Sequence, residues 1–392
     1  MQTPAARLRL LILMSIAMPI AWATWSALLN NFAIERVDFN GAQMGILQSL
    51  REVPGFLAFT TVFVLLLLRE QTLAVLALAI MGLGTALTGL LPSEYGLYFT
   101  TVLMSIGFHY YETVKQSLSL QWLHPDEAPQ LLGRMISVDA LTSLIVFAGL
   151  FVVLRFLQID YVWLYLIGGG AVVGMAVYMW VAFPRFGSDT TQTMTLFMRR
   201  RYWLYYALTF FSGARRQIFV VFAGFMMVEK FGYSAENIAL LFLINHGFNY
   251  LFAERIGTLI GRIGERRALI IEYVGLIAVF VGYALVEDAR FAVVLYVIDH
   301  LFFALAIAMK TYLQKIGDPA DMAGTASVSF TINHIAAVVV PAVLGLVWLD
   351  SPALVFLFGA LFACCSLACA LNVPARPAPG NEVLVGRGFA GA

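Results

Sequence analysis

The sequence predicts an all-α polytopic membrane protein, with twelve transmembrane helices forming two six-helix bundles related by a pseudo-twofold repeat. Three observations point there. The composition is one that no water-soluble globule carries, the chain divides almost without remainder into membrane-length apolar runs, and its two halves resemble each other.

Of 392 residues, 61% are hydrophobic, 14% aromatic and only 12% charged, with a mean hydropathy of +0.85. A soluble domain carries about 25% charged residues and about 45–50% apolar ones. So little polar surface excludes a soluble enzyme, a disulfide-rich secreted scaffold and a disordered chain. The formal net charge of +1 gives no basic excess for nucleic acid.

A membrane helix needs roughly 20 mostly apolar residues. Runs of that kind, divided at Pro, Gly and charge clusters, fall at 10–34, 43–68, 72–91, 96–122, 131–156, 160–183, 203–228, 236–259, 268–286, 291–314, 323–349 and 352–372. The run from Leu10 lacks a small-residue cleavage site and reads as a retained first helix. The longest connection holds Pro184, Arg185, Asp189 and Arg199 to Arg201. Hence residues 1–183 read as an N-terminal six-helix bundle, 184–202 as a cytoplasmic linker, 203–372 as a C-terminal bundle and 373–392 as a disordered cytoplasmic tail. Of the 24 Lys and Arg residues, fifteen lie in segments on the N-terminal side of the membrane and four on the other. Positive charge accumulates inside, so both termini are expected in the cytoplasm of a bacterial-type inner membrane. The three cysteines, Cys364, Cys365 and Cys369, share the last run and read as small apolar residues.

The repeat is local but ordered. Phe39 to Leu47 (FNGAQMGIL) matches Tyr233 to Leu241 (YSAENIALL) at an offset of 194 residues. Gly55 and Phe56 match Gly247 and Phe248 at 192, and Lys115 and Leu118 match Lys310 and Leu313 at 195. A near-constant offset of half the length is the signature of duplicated transporter halves.

Between the eighth and ninth spans runs Gly257-Thr-Leu-Ile-Gly261-Arg262-Ile-Gly264-Glu265-Arg266-Arg267. Glycines permit a tight turn with close helix approach, and the cations sit on the positive-inside face. With the span count and the repeat, this loop resembles the major facilitator superfamily over essentially the whole chain. Two departures stand out: Gly261 occupies the place of the family's usual acid, and the matching N-half loop, Leu66 to Gln71, keeps only a charge remnant. The resemblance implies that spans 3, 6, 9 and 12 are outer supports, that the others surround a central cavity, and that Gly257, Gly261, Arg262, Gly264, Arg266 and Arg267 belong to a gating loop.

Ionised side chains inside a bilayer are costly and mark pathways. The spans hold Arg51, Lys115, Arg215, Arg216 and Lys310, and Glu52, Glu112, Asp139, Glu272 and Asp299. Spans 3, 6 and 12 hold none, and span 9 holds only Glu272 near its cytoplasmic end. Arg215 and Arg216 lie near the midplane of span 7 and point about 100° apart. A guanidinium there fits carboxylate or phosphate bidentately, unless Glu52, Glu112 or Asp299 neutralises it. Arg51 and Glu52 precede Pro54 and Gly55, and as chain neighbours they are expected to seek partners on other helices. Glu112 shares a helix face with His109, Lys115 and Gln116, while Asp299 adjoins His300. An acid beside a cation or imidazole exchanges a proton when its partner moves. Glu52, Glu112, Asp299 and His300 are therefore the proton-coupling candidates. Lys310 reads as a snorkelling anchor, and Asp139 as a helix–loop contact.

Asn245, His246 and Asn249, with Asn333 and His334, either orient a solute or hydrogen-bond between helices. Trp22 and Trp25 sit mid-span rather than at an interface, where they wall a site or pack the core. Gly168 to Gly170 read as close helix packing. Phosphate loops, dinucleotide fingerprints and metal-ligand spacings are absent from the sequence, so no cofactor and no metal site are expected.

The sequence thus predicts secondary transport of a small organic solute by alternating access in a monomer embedded in the lipid bilayer, with no nucleic-acid partner. Arg215, Arg216 and Arg51 favour an anionic or zwitterionic solute, and the acids favour protons over Na⁺ as coupling ion. The alternative is a multidrug/proton antiporter exporting amphipathic compounds. A polytopic membrane enzyme or a non-transporting sensor are remoter readings.

Overall fold

The computed structural model describes residues 4–122, 128–186, 199–318 and 322–386. His124, positions 187–198 of the expected linker, 387–392 of the expected tail and the side chain of Asn249 lie outside the described residues.

Helices follow the apolar runs: α1 (Pro4–Val37), α2 (Gly41–Phe56), α3 (Thr61–Leu65), α4 (Glu70–Thr88), α5 (Glu94–Trp122), α6 (Ala128–Val152), α7 (Tyr161–Ala182), α8 (Trp203–Ile218), α9 (Gly224–Glu229), α10 (Ala235–Ile263), α11 (Glu265–Leu285), α12 (Ala289–Phe303), α13 (Ile307–Ile316), α14 (Met322–Asp350) and α15 (Pro352–Leu371). Several join end to end. A 3₁₀ turn at Leu57–Thr60 links α2 to α3, just after Pro54 and Gly55, a π turn at Phe219–Ala223 links α8 to α9, and a 3₁₀ turn at Ala304–Ala306 links α12 to α13. Proline removes a backbone donor, so the break after Pro54 is expected.

Local chemistry sets the starts. Asn40 and Gln43 exchange side-chain-to-backbone hydrogen bonds, each 3.0 Å, at the head of α2. Asp160 accepts from Val162 N at 3.0 Å before α7, and Asp288 from Arg290 N at 2.7 Å before α12. These caps satisfy amides that the first helical turn leaves unpaired.

Among the described residues, nine helical stretches are long and apolar enough to cross a membrane. The runs expected at 43–68, 96–122 and 236–259 are helical too, as α2 with α3, α5 and α10. Polar residues such as Arg51, Glu52, Glu112, Lys115 and Asn245 set them apart. Along α6 and its π-helical end (Val153–Leu157), Ile136, Leu141, Ile145, Val152 and Phe156 are all exposed, as on a lipid-facing surface.

The chain forms two compact units. The first comprises Met1–Phe39, Leu50–Gln192 and Tyr233–His246, and the second Asn40–Ser49, Thr193–Gly232 and Gly247–Ala392. The division expected at 184–202 is therefore crossed twice, by the start of α2 and by the start of α10. In the first unit, Asn31 Nδ2 donates to Tyr233 O at 2.7 Å, and Phe147 stacks on Phe242 with centroids 5.2 Å apart. In the second, α2 lies directly on α14: a Cβ on Gly45 would sit 2.2 Å from Pro341 O, and one on Gly345 2.7 Å from Gly41 O. Trp348 anchors that seam, stacking on Phe222 at 5.2 Å and donating from Nε1 to Glu229 at 2.8 Å.

Elsewhere in the first unit α4 packs on α5 and α7 through Gly82, Gly84, Gly107 and Gly169, whose added Cβ atoms would meet backbone at 2.3 to 2.8 Å. The expected close packing at Gly168 and Gly169 is present, whereas Gly170 faces open space.

The tail departs from expectation. Residues 373–386 are folded rather than disordered, with Val373 and Val383 buried. The Asn372 side chain accepts from Val385 N at 2.7 Å and donates to Val385 O at 3.1 Å. Ala378 and Asn381 pair across a turn that holds Gly380 at φ +82°. Tyr312 Oη donates to Glu382 O at 2.6 Å. The prolines shape this turn instead of preventing structure, because two valines supply the apolar anchor that a disordered tail lacks.

Candidate functional site

In the first unit, α1, α2 and α5 bring together two tryptophans, an ion pair and a phenylalanine. Arg51 Nη2 contacts Glu52 Oε1, and both residues are nearly excluded from solvent, at 5% and 8% exposure. The expectation that these neighbours pair only with other helices is corrected: the long, jointed Arg side chain sweeps back across the turn between two adjacent positions. The guanidinium carbon lies 5.4 Å from the Trp22 ring centre and 6.0 Å from that of Trp25. On α5, Phe108 stacks on Trp22 at 4.7 Å, and Ser105 donates to Arg51 O. A cation over indole faces in a desolvated setting is held by the ring quadrupole as well as by its counter-ion. Trp25 is buried, and its Nε1–H meets no acceptor among the described residues.

Farther along α5, Lys115 Nζ lies 3.0 Å from Asp139 Oδ2 and 4.0 Å from Glu112 Oε1, with the Tyr111 ring 5.5 Å beneath it. Asp139 is thus the cation's main partner rather than a helix–loop contact. Phe108 meets the buried His109 edge-on at 4.9 Å. Asn245 is buried with Oδ1 accepting no hydrogen bond among the described residues, and half-buried His246 lies 5.0 Å from Phe147. Two contacts escaped sequence reasoning. Glu70 accepts from Ser117 and Gln121, each at 2.8 Å, and Gln71 holds the chain after α7 by bonding Pro184 O and Phe186 N.

The second unit holds a separate cluster. Arg215 on α8 reaches Glu272 on α11 at 3.2 Å and Ser212 at 3.3 Å, with its guanidinium carbon 5.9 Å from the Tyr273 ring centre. Arg215, Glu272 and Asp299 are each 0% exposed. Arg216 points the other way and is exposed, the divergence that a 100° step per residue imposes. Arg215, expected on a solute, is committed to Glu272. The signal for that partner was Glu272 itself, the one ionised residue of its span.

The remaining expected residues scatter over this unit. His300 is half-buried, 6.4 Å from Phe219. Asn333 lies against Gly213, where an added Cβ would be 2.5 Å from its Oδ1. Buried His334 makes a 2.8 Å bond from Nδ1 to Phe330 O. Lys310 is exposed in the first half of α13.

At the expected gating loop, Gly264 alone links α10 to α11, at φ +83°. Glu265 pairs with Lys315 at 2.7 Å, and Arg266 donates to Leu371 O at 3.1 Å, while Arg262 and Arg267 are exposed. Gly257 and Gly261 have nothing within 4 Å of an added Cβ, so close helix approach is not their reason here.

No family model matches the sequence, and no curated protein matches it either. Solved structures do match. The nucleoside transporter NupG, as its D323A mutant, superimposes with a TM-score of 0.75 at 15% identity, over 93% of this chain and 98% of that one. A bacterial homologue of the human lysosomal transporter Spinster, inward-facing and occupied, gives a TM-score of 0.74 at 14% identity, over 93% and 95%. These neighbours are transporters, and at such identity the likeness speaks for the fold. The chain has the fold of the major facilitator transporters.

Proposed function

We propose that this protein is a secondary transporter that moves a small anionic or zwitterionic organic solute across the inner membrane by alternating access, coupled to protons. The nine apolar stretches together with α2–α3, α5 and α10 support a reading of twelve crossings in two six-helix bundles, and the excess of Lys and Arg on the side of the termini supports placing both in the cytoplasm. The observation that carries the reading is the Arg51–Glu52 pair, buried and seated on Trp22 and Trp25.

A guanidinium neutralised by the next residue is a latent anion site. Protonation of Glu52 removes its charge and leaves Arg51 as an uncompensated cation in a poorly solvated setting. An entering carboxylate restores neutrality through bidentate hydrogen bonds. Loss of the anion returns Arg51 to Glu52 and expels the proton. One proton therefore accompanies one anionic group. In this reading Asn245 and His246, in the same unit, orient the rest of the solute. Arg215, enclosed with Glu272, is not assigned a solute contact.

Liposomes containing the protein and a pH-sensitive dye, challenged with a panel of small carboxylates, test this. The expected result is proton entry that depends on the carboxylate and is lost in Arg51→Ala. Undiminished carboxylate-driven proton entry in Arg51→Ala would overturn it.

A second reading is a planar, nucleoside-like solute. It draws on the stacked Trp22 and Phe108 rings and on the nucleoside transporter among the similar structures. Nucleosides belong in the same panel, and their transport by Arg51→Ala would favour this reading over the anion one.

A further inference from the structure

We propose that Arg215, Glu272 and Asp299 form an enclosed proton-binding site within the second unit, in which a single proton shared by the two carboxyl groups balances the guanidinium. Three helices contribute one member each, α8, α11 and α12, and all three side chains are fully shielded from solvent. Arg215 contacts Glu272 at 3.2 Å, and the Asp299 carboxyl lies within electrostatic reach of both. Neither Asp299 oxygen, nor Glu272 Oε2, accepts a hydrogen bond among the described residues.

Charge counting gives the inference its force. Two carboxylates against one guanidinium leave a net negative charge buried at membrane depth, which costs several kcal/mol. The titratable neighbours do not cancel it. Tyr273 and Tyr283 of α11, Tyr296 of α12 and Cys369 of α15 are neutral in their ordinary states. His300 follows Asp299 in the chain, is half-buried and is directed about 100° around the helix. One proton on either carboxyl brings the trio to neutrality. A metal cation fits less well, because the guanidinium that touches Glu272 repels it, whereas a proton joins an orphaned oxygen as an O–H. Arg215 is then the fixed counter-ion of a proton site. The proposal needs no solute and stands independently of the transport reading.

Infrared difference spectra between mildly acidic and mildly alkaline buffers, recorded on the full chain in detergent, read the protonated carboxyl directly. The wild type should show a carbonyl band that shifts in D₂O and is the same in sodium and choline buffers. Glu272→Gln and Asp299→Asn should each remove that component, because the remaining carboxylate is balanced by Arg215. Asp299→Glu should move the band without removing it, and Arg215→Gln should double it. Size-exclusion profiles identify variants that fold, and any one of them is informative. A band unchanged in Asp299→Asn, Glu272→Gln or Asp299→Glu overturns the proposal. So does its displacement by sodium at constant pH, which would make the site a metal-cation site.

Discussion

Arg51 and Glu52, adjacent in the chain, close on each other side chain to side chain, while Trp22 and Trp25 cover the guanidinium at 5.4 and 6.0 Å. Such a pair cancels its own charge and becomes attractive to an anion when Glu52 gains a proton. Glu52→Gln is therefore expected to separate the two fluxes. Solute exchange between two sides at equal concentration should persist, while solute-driven proton entry should fall to background. Counterflow and dye acidification on the same liposomes check this, and equal loss of both would refute the coupling role.

Arg51→Lys tests why the residue is Arg. A lysine keeps the charge but loses the planar fork and much of the stacking on indole. Removing one bond of a bidentate, charge-assisted pair costs about 1.5–3 kcal/mol, which is roughly tenfold or more in affinity for a carboxylate. The expected outcome is at least a tenfold rise in the half-saturating solute concentration, with the maximal rate changed less.

Arg215 and Glu272 predict a stability effect rather than an affinity effect. Both are fully buried, so Arg215→Ala leaves the buried acids without their cation and forces uptake of a second proton, a change worth about 3–5 kcal/mol at neutral to alkaline pH. A steep fall in melting temperature in detergent is expected. Adding Glu272→Leu to Arg215→Leu should recover most of it, since apolar replacement of a whole buried pair is often near neutral. A double variant as unstable as Arg215→Ala would show that the pair does more than cancel charge.

The helices were legible because apolar run length is a local property; the caps at Asp160, Asp288, Ser351 and Asn40, found only in the structure, fix where they start. The depth of ionised residues was legible too, since an Arg or Asp inside an apolar run stands out. Partners were harder. Glu272 lies nearer the start of α11 than Arg215 does to the start of α8, and only the lean of helical side chains toward their own N-terminus brings the long Arg back to it. Arg51 with Glu52, and Asp139 with Lys115, likewise depend on side-chain reach that spacing rules do not encode. The folded tail was hidden because its prolines suggested disorder, while its two anchoring valines carry no periodic signal.

The glycines of the α10–α11 loop should behave unequally. Gly257 and Gly261 lie in a helix with open space where a Cβ would go. Their change to Ala removes a helix penalty of about 0.8–1.0 kcal/mol each, so a slightly raised melting temperature is expected. Gly264, at φ +83°, should lose about 1–2 kcal/mol as Ala, because a Cβ opposes that backbone conformation. Thermal melts of the three single variants check the ordering. Stabilisation at position 264 would contradict the one-residue link between the helices.

Tyr312 and Glu382 tie the tail to α13 through one 2.6 Å hydrogen bond from the phenol to the backbone carbonyl. Tyr312 is itself fully buried, and the tail contributes buried Val373 and Val383. Tyr312→Phe removes only the donor and leaves the Glu382 carbonyl unsatisfied, a cost of about 1–3 kcal/mol. Removing residues 373–392 also takes away the buried Val373 and Val383 and should cost more than the single substitution. Limited proteolysis gives a second readout. In the wild type the chain should resist a glutamate-specific protease at Glu382, whose carbonyl accepts from the Tyr312 phenol and whose side chain accepts from Gly380 N at 2.9 Å. Tyr312→Phe should accelerate that cleavage, because the turn then opens without unfolding the helices beneath it. Cleavage at the same rate in both proteins would mean that the two valines, and not the phenol, hold the tail in place.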